Sequence, residues 1–354
     1  MILLTGSFGS VGTQVVRELL RRGQEIRTFD RDTKRNRKCA EQIKRQLEPE
    51  AIWHMEWGDI RDKNAVETAV AGSDTIIHLA ACIPPLADKN PDFAAEINIT
   101  GTKNIIEAAK QQRKLPHIIF SSSIAVYGDR RQNPCIRIDD PVSPNDDDYY
   151  AKQKVFSETL LKESGVPWTI LRLTYITDVD RLKLDPLMFS MPLETHLEIC
   201  DVEDAARAIA NAADTDEIRG KMMNIGGGVR CRTTFGEYLS EMFRLFGLGK
   251  QLFYRPAFST KKFHCGLLDS EISEQILSYQ HISLSDFYEK VKTKYRVQSV
   301  FFFMLRPLIR LILLFSSPYF QGWINDAYRS FQRDARHWFL YNFLRVKQPN
   351  GPSK

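Results

Sequence analysis

Two groups of residues in this 354-residue chain have the types and spacing to do chemistry. Tyr150 and Lys154 are four apart, so on a helix they share one face. An ammonium beside a phenol favours the phenolate, and such a tyrosine exchanges a proton with a carbinol. Tyr149 has Gln153 at the matching offset, which leaves Tyr150 as the candidate. Upstream lies a serine run, Phe120-Ser-Ser-Ser-Ile-Ala-Val-Tyr-Gly128. The second group is Thr5-Gly6-Ser-Phe8-Gly9-Ser10-Val11-Gly12, which directly follows an apolar run. Gly6 permits a tight turn, Gly9 lets the backbone approach a pyrophosphate, and Gly12 lets the next helix pack close. Free N–H groups at that helix start then meet the anion. Asp30 ends the second predicted strand, where a carboxylate accepts bonds from both ribose hydroxyls. Asp59, in Gly58-Asp59-Ile60, follows the third strand and is placed at the adenine. The expected cofactor is NAD in preference to NADP. Asp30 repels a 2′-phosphate, although Arg31, Lys34 and Arg35 follow closely enough to receive one.

The elements that must position these groups alternate along the chain. Met1–Leu4 reads as a buried strand and not as a signal peptide. Val11–Arg22 is helical in spacing and Glu25–Phe29 a strand. Ala51–Trp57 is a strand, Ala65–Val70 a helix and Thr75–Ala80 a strand. Ile99–Gln111 is a helix, His117–Ser121 a strand, Tyr149–Ser164 a helix and Trp168–Leu173 a strand. Such β-α alternation predicts a doubly wound parallel α/β sheet. Beyond Thr177 the alternation loosens. Val202–Ala213, Phe235–Leu245 and Ser283–Lys294 read as helices, and Lys221–Ile225 as a short strand. The expected division is a dinucleotide-binding domain over 1–175, a smaller substrate region over 176–295 interleaved with it, and a tail over 296–354.

Composition narrows the classes. Apolar residues make up 43% and charged residues 26%, enough for a packed core and against wholesale disorder. Six scattered cysteines with no C-x-x-C pair argue against a disulfide scaffold and a cysteine zinc site, and fit a cytoplasmic location. Residues 291–354 carry eleven Lys/Arg against two Asp/Glu, a net +9, whereas the first 290 carry −4. Val300–Phe315 is apolar but interrupted by Arg306, Pro307 and Arg310, a poor transmembrane span. Arg306 and Arg310 predict one basic helical face, with Arg at lipid headgroups and Phe and Leu inward. Asn325–Val346 adds Arg329, Arg333, Arg336 and Arg345 among aromatics. Residues 298–346 are therefore expected at the cytoplasmic membrane face as a peripheral contact. A domain cap and a homodimer contact remain the alternatives, and nucleic acid is not expected. His78, among Ile76, Ile77 and Leu79, reads as a satisfied interior histidine, and Cys82 as a small hydrophobe. Asp146–Asp148 point different ways on a helix start, so no metal is expected.

With these residues the chain resembles the extended short-chain dehydrogenase/reductase family, also called the NAD-dependent epimerase/dehydratase family. The resemblance spans about residues 1–230. It includes the glycine turn, Asp59, His78-Leu-Ala-Ala81, Asn98 ahead of Gly101-Thr102, and the serines before Val126-Tyr-Gly128. Tyr150-x-x-x-Lys154, Val202-Glu-Asp-Ala-Ala-Arg-Ala208 and Asn224-Ile-Gly-Gly227 complete it. It implies Tyr150 as the proton-transfer residue and Lys154 as the group that lowers its pKa and holds the nicotinamide ribose. It implies Ser123, with Ser122 as the register alternative, on the substrate oxygen, and Ser121 beside the cofactor. Asn98 would lie near the cofactor and a relay water, with Ile60, Leu79, Ala80 and Ala81 along the cofactor groove. The chain also departs from the pattern. Tyr175 stands where sugar-nucleotide members usually carry Asn, and Thr177–Val202 is short, lacks Gly and offers only Arg181 and Lys183 as basic residues. Leu171-Arg-Leu-Thr-Tyr-Ile is nearer the steroid-dehydrogenase branch, and Asp185–Leu193 suits either a greasy pocket or a core. The expectation is an NAD(P)-dependent oxidoreductase acting on a small-molecule secondary alcohol, with an apolar, steroid-like substrate. A sugar-nucleotide epimerase or dehydratase is the alternative, and an NAD(P)-binding regulatory or scaffold protein is the alternative of another class.

Overall fold

The computed structural model describes residues 1–48, 50–326, 329 and 330. These residues form two compact units of interleaved segments. The larger takes Met1–Lys183, Glu194–Tyr238 and Lys262–Lys294. The smaller takes Leu184–Leu193, Leu239–Lys261 and the described residues from Tyr295 onward. The 176–295 region is thus shared between the two.

In chain order the strands are β1 (Ile2–Thr5), β2 (Ile26–Asp30), β3 (Trp53–Trp57), β4 (Thr75–His78), β5 (His117–Ser123), β6 (Cys135–Ile136), β7 (Trp168–Leu173), β8 (Tyr175–Thr177), β9 (His196–Asp201), β10 (Met222–Ile225), β11 (Arg232–Thr234) and β12 (Leu267–Leu268). The helices are α1 (Ser10–Arg21), α2 (Lys34–Lys44), α3 (Lys63–Val70), α4 (Leu86–Lys89), α5 (Pro91–Ala95), α6 (Gly101–Lys110), α7 (Tyr149–Lys162), α8 (Val202–Ala213), α9 (Phe235–Leu245), α10 (Glu271–Leu277), α11 (Leu284–Lys294), α12 (Arg296–Met304) and α13 (Arg306–Ser316).

Seven parallel strands pair in the order β10-β7-β5-β4-β1-β2-β3. The order reverses at β1, whose Thr5 lies opposite Phe29 of β2 and His78 of β4. Ligands of open parallel sheets gather at that reversal, outside the carboxyl ends of the strands. Side chains alternate across the sheet, which explains why the strands read as unbroken apolar runs. Ile2, Leu4, Ile77 and Leu171 pack toward α1 and α8 on one face. Leu3, Ile76, Phe120 and Ile170 pack toward α3 and α6 on the other. A small mixed sheet, β11-β9-β8, and a two-stranded pair, β12-β6, complete the larger unit.

β5 runs two residues beyond the predicted strand end. Ser122 and Ser123 continue the ladder opposite Arg172 and Leu173 of β7, so pairing carries it past the point where apolar residues stop. β9 carries no strand signal in its sequence. Its Glu198 is buried, which an alternation rule assigns to solvent, and is satisfied there by Arg232 at 2.8 Å.

In the smaller unit Phe189 packs on Phe253 and Phe258, with ring centroids 5.6 and 5.2 Å apart. This part of Asp185–Leu193 is core. α12 and α13 meet at a bend of 88°, and no single described helix is long and apolar enough to cross a membrane. The two arginines expected at headgroups point inward instead. Arg310 donates to the carbonyls of Leu248 at 3.1 Å and Gln251 at 2.7 Å, and its guanidinium lies 4.9 Å from the Phe253 ring centroid. Burial and the neighbouring Arg306 hold its pKa below the ordinary guanidinium value. Arg306 lies against Gly249, where a Cβ would come within 2.4 Å of Nη2. Free backbone carbonyls in this loop explain the inward turn of Arg310, because they offer it acceptors that periodicity cannot register. Arg333, Arg336 and Arg345, with the rest of the segment from residue 331 to Val346, lie outside the described residues.

Candidate active site

The glycine turn links β1 to α1. Gly6 adopts φ +68°, and a Cβ there would stand 2.7 Å from the Ala80 amide nitrogen, so only glycine admits the loop after β4 this close. A Cβ on Gly12 would stand 2.1 Å from the Gly6 carbonyl oxygen. Gly9 caps α1 and no side chain satisfies the first turn. That leaves backbone N–H groups directed at any anion seated there.

Asp30 closes one side of this turn. One of its carboxylate oxygens accepts from the Phe8 amide at 2.9 Å, and the other from the Arg31 amide at 2.8 Å and the Asn36 side chain at 3.2 Å. Burial raises its pKa against the pull of those two backbone donors. Phe8 itself is buried and stacks on Trp57 at 5.3 Å. Its backbone, not its ring, faces the turn. Asp59 is engaged by Arg61, whose Nε and Nη2 stand 3.0 and 2.8 Å from its carboxylate, and that partner lowers its pKa. Ile60 is buried under Gly101, where a Cβ would touch its Cγ2 at 2.8 Å. Leu79, Ala80 and Ala81 are half-buried along the loop after β4.

The segment after β8 crosses the turn, a closure not evident in the sequence. The Ser10 hydroxyl donates to the Asp178 carboxylate, and Arg181 Nη2 donates to the Phe8 carbonyl at 3.3 Å. Ser10 and Asp178 are 168 residues apart, and no local signal connects them.

The three serines at the end of β5 divide their work. Ser121 donates to the His78 carbonyl at 3.2 Å, and its own carbonyl accepts from Lys154 Nζ at 2.7 Å. Ser122 is buried and donates to Glu158 at 2.6 Å, which takes it out of the reacting set. Burial raises the Tyr150 pKa, and Asp148 adds to the rise, while the neighbouring Ser123 side chain pulls it back toward the phenolate. Tyr150, Lys154 and Glu158 are spaced by four and share one face of α7. Burial depresses the Lys154 pKa to about 7, against the attraction of Glu158. Its ammonium also lies 4.5 Å from the Phe120 ring centroid and 5.7 Å from that of Tyr150. Tyr149 turns outward and is 46% exposed, whereas Tyr150 is half-buried.

Asn98 is buried and its side chain is occupied by protein. Its Oδ1 accepts from the Cys82 amide at 2.7 Å, and its Nδ2 donates to the Cys82 carbonyl at 2.9 Å and to Gln153 at 2.8 Å. Asn98 thus ties the loop after β4 to α7. His78 sits between Thr5 at 2.7 Å and Thr102 at 3.0 Å, and burial pushes its pKa down to about 3. Cys82 is buried, and its thiol pKa is raised by that burial. Asp148 caps α7, accepting from the Ala151 amide at 2.9 Å. Among the described residues no group of His, Cys, Asp and Glu could hold a metal ion.

A parallel sheet with a glycine turn at its reversal, and a serine, tyrosine and lysine along the same carboxyl edge, defines a short-chain dehydrogenase/reductase fold. Residues 2–177 match the sequence model of the NAD dependent epimerase/dehydratase family, and the chain belongs to that family. It is 33% identical over 164 residues to the N-acetyl-α-D-glucosaminyl-diphospho-ditrans,octacis-undecaprenol 4-epimerase of Escherichia coli O157:H7, covering 46% of this chain and 43% of that one. It is 30% identical to a 3-beta-hydroxysteroid dehydrogenase of Mycolicibacterium neoaurum, covering 44% of this chain and 41% of the other. The chain spans about two fifths of the length of these curated relatives. Among solved structures it is similar to the UDP-glucose 4-epimerase of Thermotoga maritima with UDP-glucose. The TM-score is 0.68 at 21% identity, over 84% of this chain and 99% of that one. A UDP-glucuronic acid 4-epimerase of Bacillus cereus with UDP-glucuronic acid and NAD gives a TM-score of 0.69 at 21% identity, over 84% and 99%. These two likenesses speak for the fold.

Proposed function

We propose that the protein is an NAD-dependent epimerase acting on a sugar carried by a diphosphate, by oxidation and re-reduction at one carbinol carbon. The observation that carries the reading is the convergence of Tyr150 and Lys154 on the serine end of β5, with the Lys154 ammonium 2.7 Å from the Ser121 carbonyl and 5.7 Å from the Tyr150 ring centroid, along the same sheet edge as the glycine turn. The uncapped first turn of α1 and the close-packed Gly6 and Gly12 fit a pyrophosphate, and Asp30 fits an adenosine ribose. Bound NAD supplies a hydride acceptor and donor. Tyr150 takes the hydroxyl proton as the carbinol becomes a carbonyl, and returns it when the carbonyl is reduced again. Ser123 holds the substrate oxygen. Lys154 supplies positive charge beside the phenol and a donor for the nicotinamide ribose. Leu79, Ala80 and Ala81 line the groove.

The 4-epimerase relatives favour a sugar diphosphate over the steroid-like alcohol suggested by the Leu171–Ile176 segment. The hydroxysteroid dehydrogenase relative keeps simple dehydrogenation as the second reading. Incubation with NAD and UDP-glucose or UDP-N-acetylglucosamine, or their polyprenyl-diphosphate counterparts, separates them. Epimerisation yields the C4 epimer without net NADH. NADH rising in step with a keto product establishes the dehydrogenase instead, and no turnover of any of these sugars removes the epimerase reading.

Asp30→Ala tests the cofactor assignment. Loss of hydrogen bonds to a charged acceptor is worth about 1.5–3 kcal/mol, so NAD affinity should fall by roughly 10–100-fold in a calorimetric titration. NADP should lose less, because the repulsion of its 2′-phosphate goes as well. Equal losses for both nucleotides would remove Asp30 from the ribose.

A further inference from the structure

Along α12 and α13 the smaller unit turns Arg306 and Arg310 inward beside Phe302 and Leu313, and leaves many other apolar side chains outward. Arg310 is fastened to the Leu248 and Gln251 carbonyls, Arg306 lies against the Gly249 bend, and Ser317 donates to the Ala257 carbonyl at 2.6 Å. These anchors fix the helix faces. They leave Phe301, Phe303, Leu308, Leu311, Ile312 and Phe315 on the outer side, each more than half exposed. Surface helices of soluble proteins show the reverse arrangement, with the apolar stripe toward the core. An apolar strip over two helices at 88° is a surface waiting for an apolar phase.

Charge selects the phase. No acidic residue occurs between Arg296 and Asn325. Arg296 at the start of α12 and Arg329 beyond α13 are exposed, and residues 291–354 sum to +9. A second copy seated on this face by a twofold axis would bring two such cationic segments together, at a Coulombic cost. An anionic lipid surface meets the apolar strip and the cationic rim at once. Trp323, half exposed beyond α13, is of the type that settles at the headgroup level. We propose that α12 and α13 form a monotopic dock that holds the protein on an anionic bilayer surface without crossing it. The arginines that a sequence reading assigns to headgroups act instead as the bolts that present the apolar face. The proposal is independent of the substrate.

The test uses the full chain and vesicles of phosphatidylcholine with or without phosphatidylglycerol. The wild type should sediment with anionic vesicles. High salt should weaken the binding without abolishing it, because the apolar contribution is not screened. Phe301→Glu/Leu308→Glu/Ile312→Glu should lose vesicle affinity by about tenfold or more while keeping its melting temperature. Should that variant fail to fold, brominated acyl chains provide the second measurement. They should quench the tryptophan fluorescence of the wild type, and Trp323→Phe should remove part of that quenching. A wild type that stays in the supernatant with both vesicle types overturns the proposal. So does a folded variant that sediments like wild type, or a bound wild type whose tryptophans escape quenching. A variant that turns a dimer into a monomer, with lipid ignored throughout, assigns the face to a second copy.

Discussion

Tyr150→Phe should lower kcat by roughly 10²–10⁴-fold, the usual contribution of a positioned acid or base, and leave NAD affinity nearly unchanged. The ring stays and only the hydroxyl goes, so packing around it is preserved. Ser123 can still face the substrate oxygen. Single-turnover measurements should place the whole loss in the hydride step. Tyr149→Phe serves as the control, because that side chain points to solvent. Wild-type turnover in Tyr150→Phe would show that the proton travels by another route and would end the Ser-Tyr-Lys assignment. The half-buried phenol and the buried ammonium set the terms of this chemistry. Burial raises the pKa of the first and depresses that of the second to about 7, so each is pushed toward its neutral form. A positive charge brought next to the phenol favours its ionised form, and an oxidised nicotinamide is such a charge.

How much of this was legible in the sequence depended on the range of the interaction. β7, α8 and α9 have the bounds that periodicity predicts, because each is a local apolar pattern with a breaker at its ends. Tyr150 and Lys154 were legible for the same reason, since a spacing of four is a property of one helix. Ser122 and Ser123 were not distinguishable, because the choice between them is made by Glu158 across the α7–β5 contact. Asp178 and Arg181 over the glycine turn were invisible, since their partners are Ser10 and Phe8. Asn98 carries a structural link that its place in the motif does not announce, for its amide hydrogens are taken by Cys82 and Gln153. The inward Arg310 belongs to the same class, for its acceptors are loop carbonyls about 60 residues earlier.

Glu158→Gln should destabilise the protein by about 3–5 kcal/mol, the cost of breaking a buried ion pair while its partner stays buried. Glu158 and Arg172 side chains are each 2% exposed, and two contacts join them, at 3.0 Å from Nε and 2.7 Å from Nη2. Arg172 also donates to the Tyr127 hydroxyl at 2.8 Å, which in turn donates to Asn224 at 3.0 Å. The network therefore pins β5, β7 and β10 to α7 from below the reacting groups. Gln keeps the shape and part of the hydrogen bonding but leaves the guanidinium without a counter-charge. The double variant Glu158→Leu/Arg172→Met removes both charges, and should lose much less than the two single variants added together. Denaturant midpoints of wild type, Glu158→Leu, Arg172→Met and the double variant close the cycle. If Glu158→Gln falls within 1 kcal/mol of wild type, water or another carboxylate must reach Arg172, and the network is not the support described. The consequence for catalysis follows from the spacing on α7. Glu158 stands one turn beyond Lys154 and holds Ser122 next to Ser123, so its loss should loosen the Ser123–Tyr150 alignment before it touches cofactor binding. In Glu158→Gln, kcat should therefore drop at temperatures where the protein is still fully folded, with NAD affinity retained.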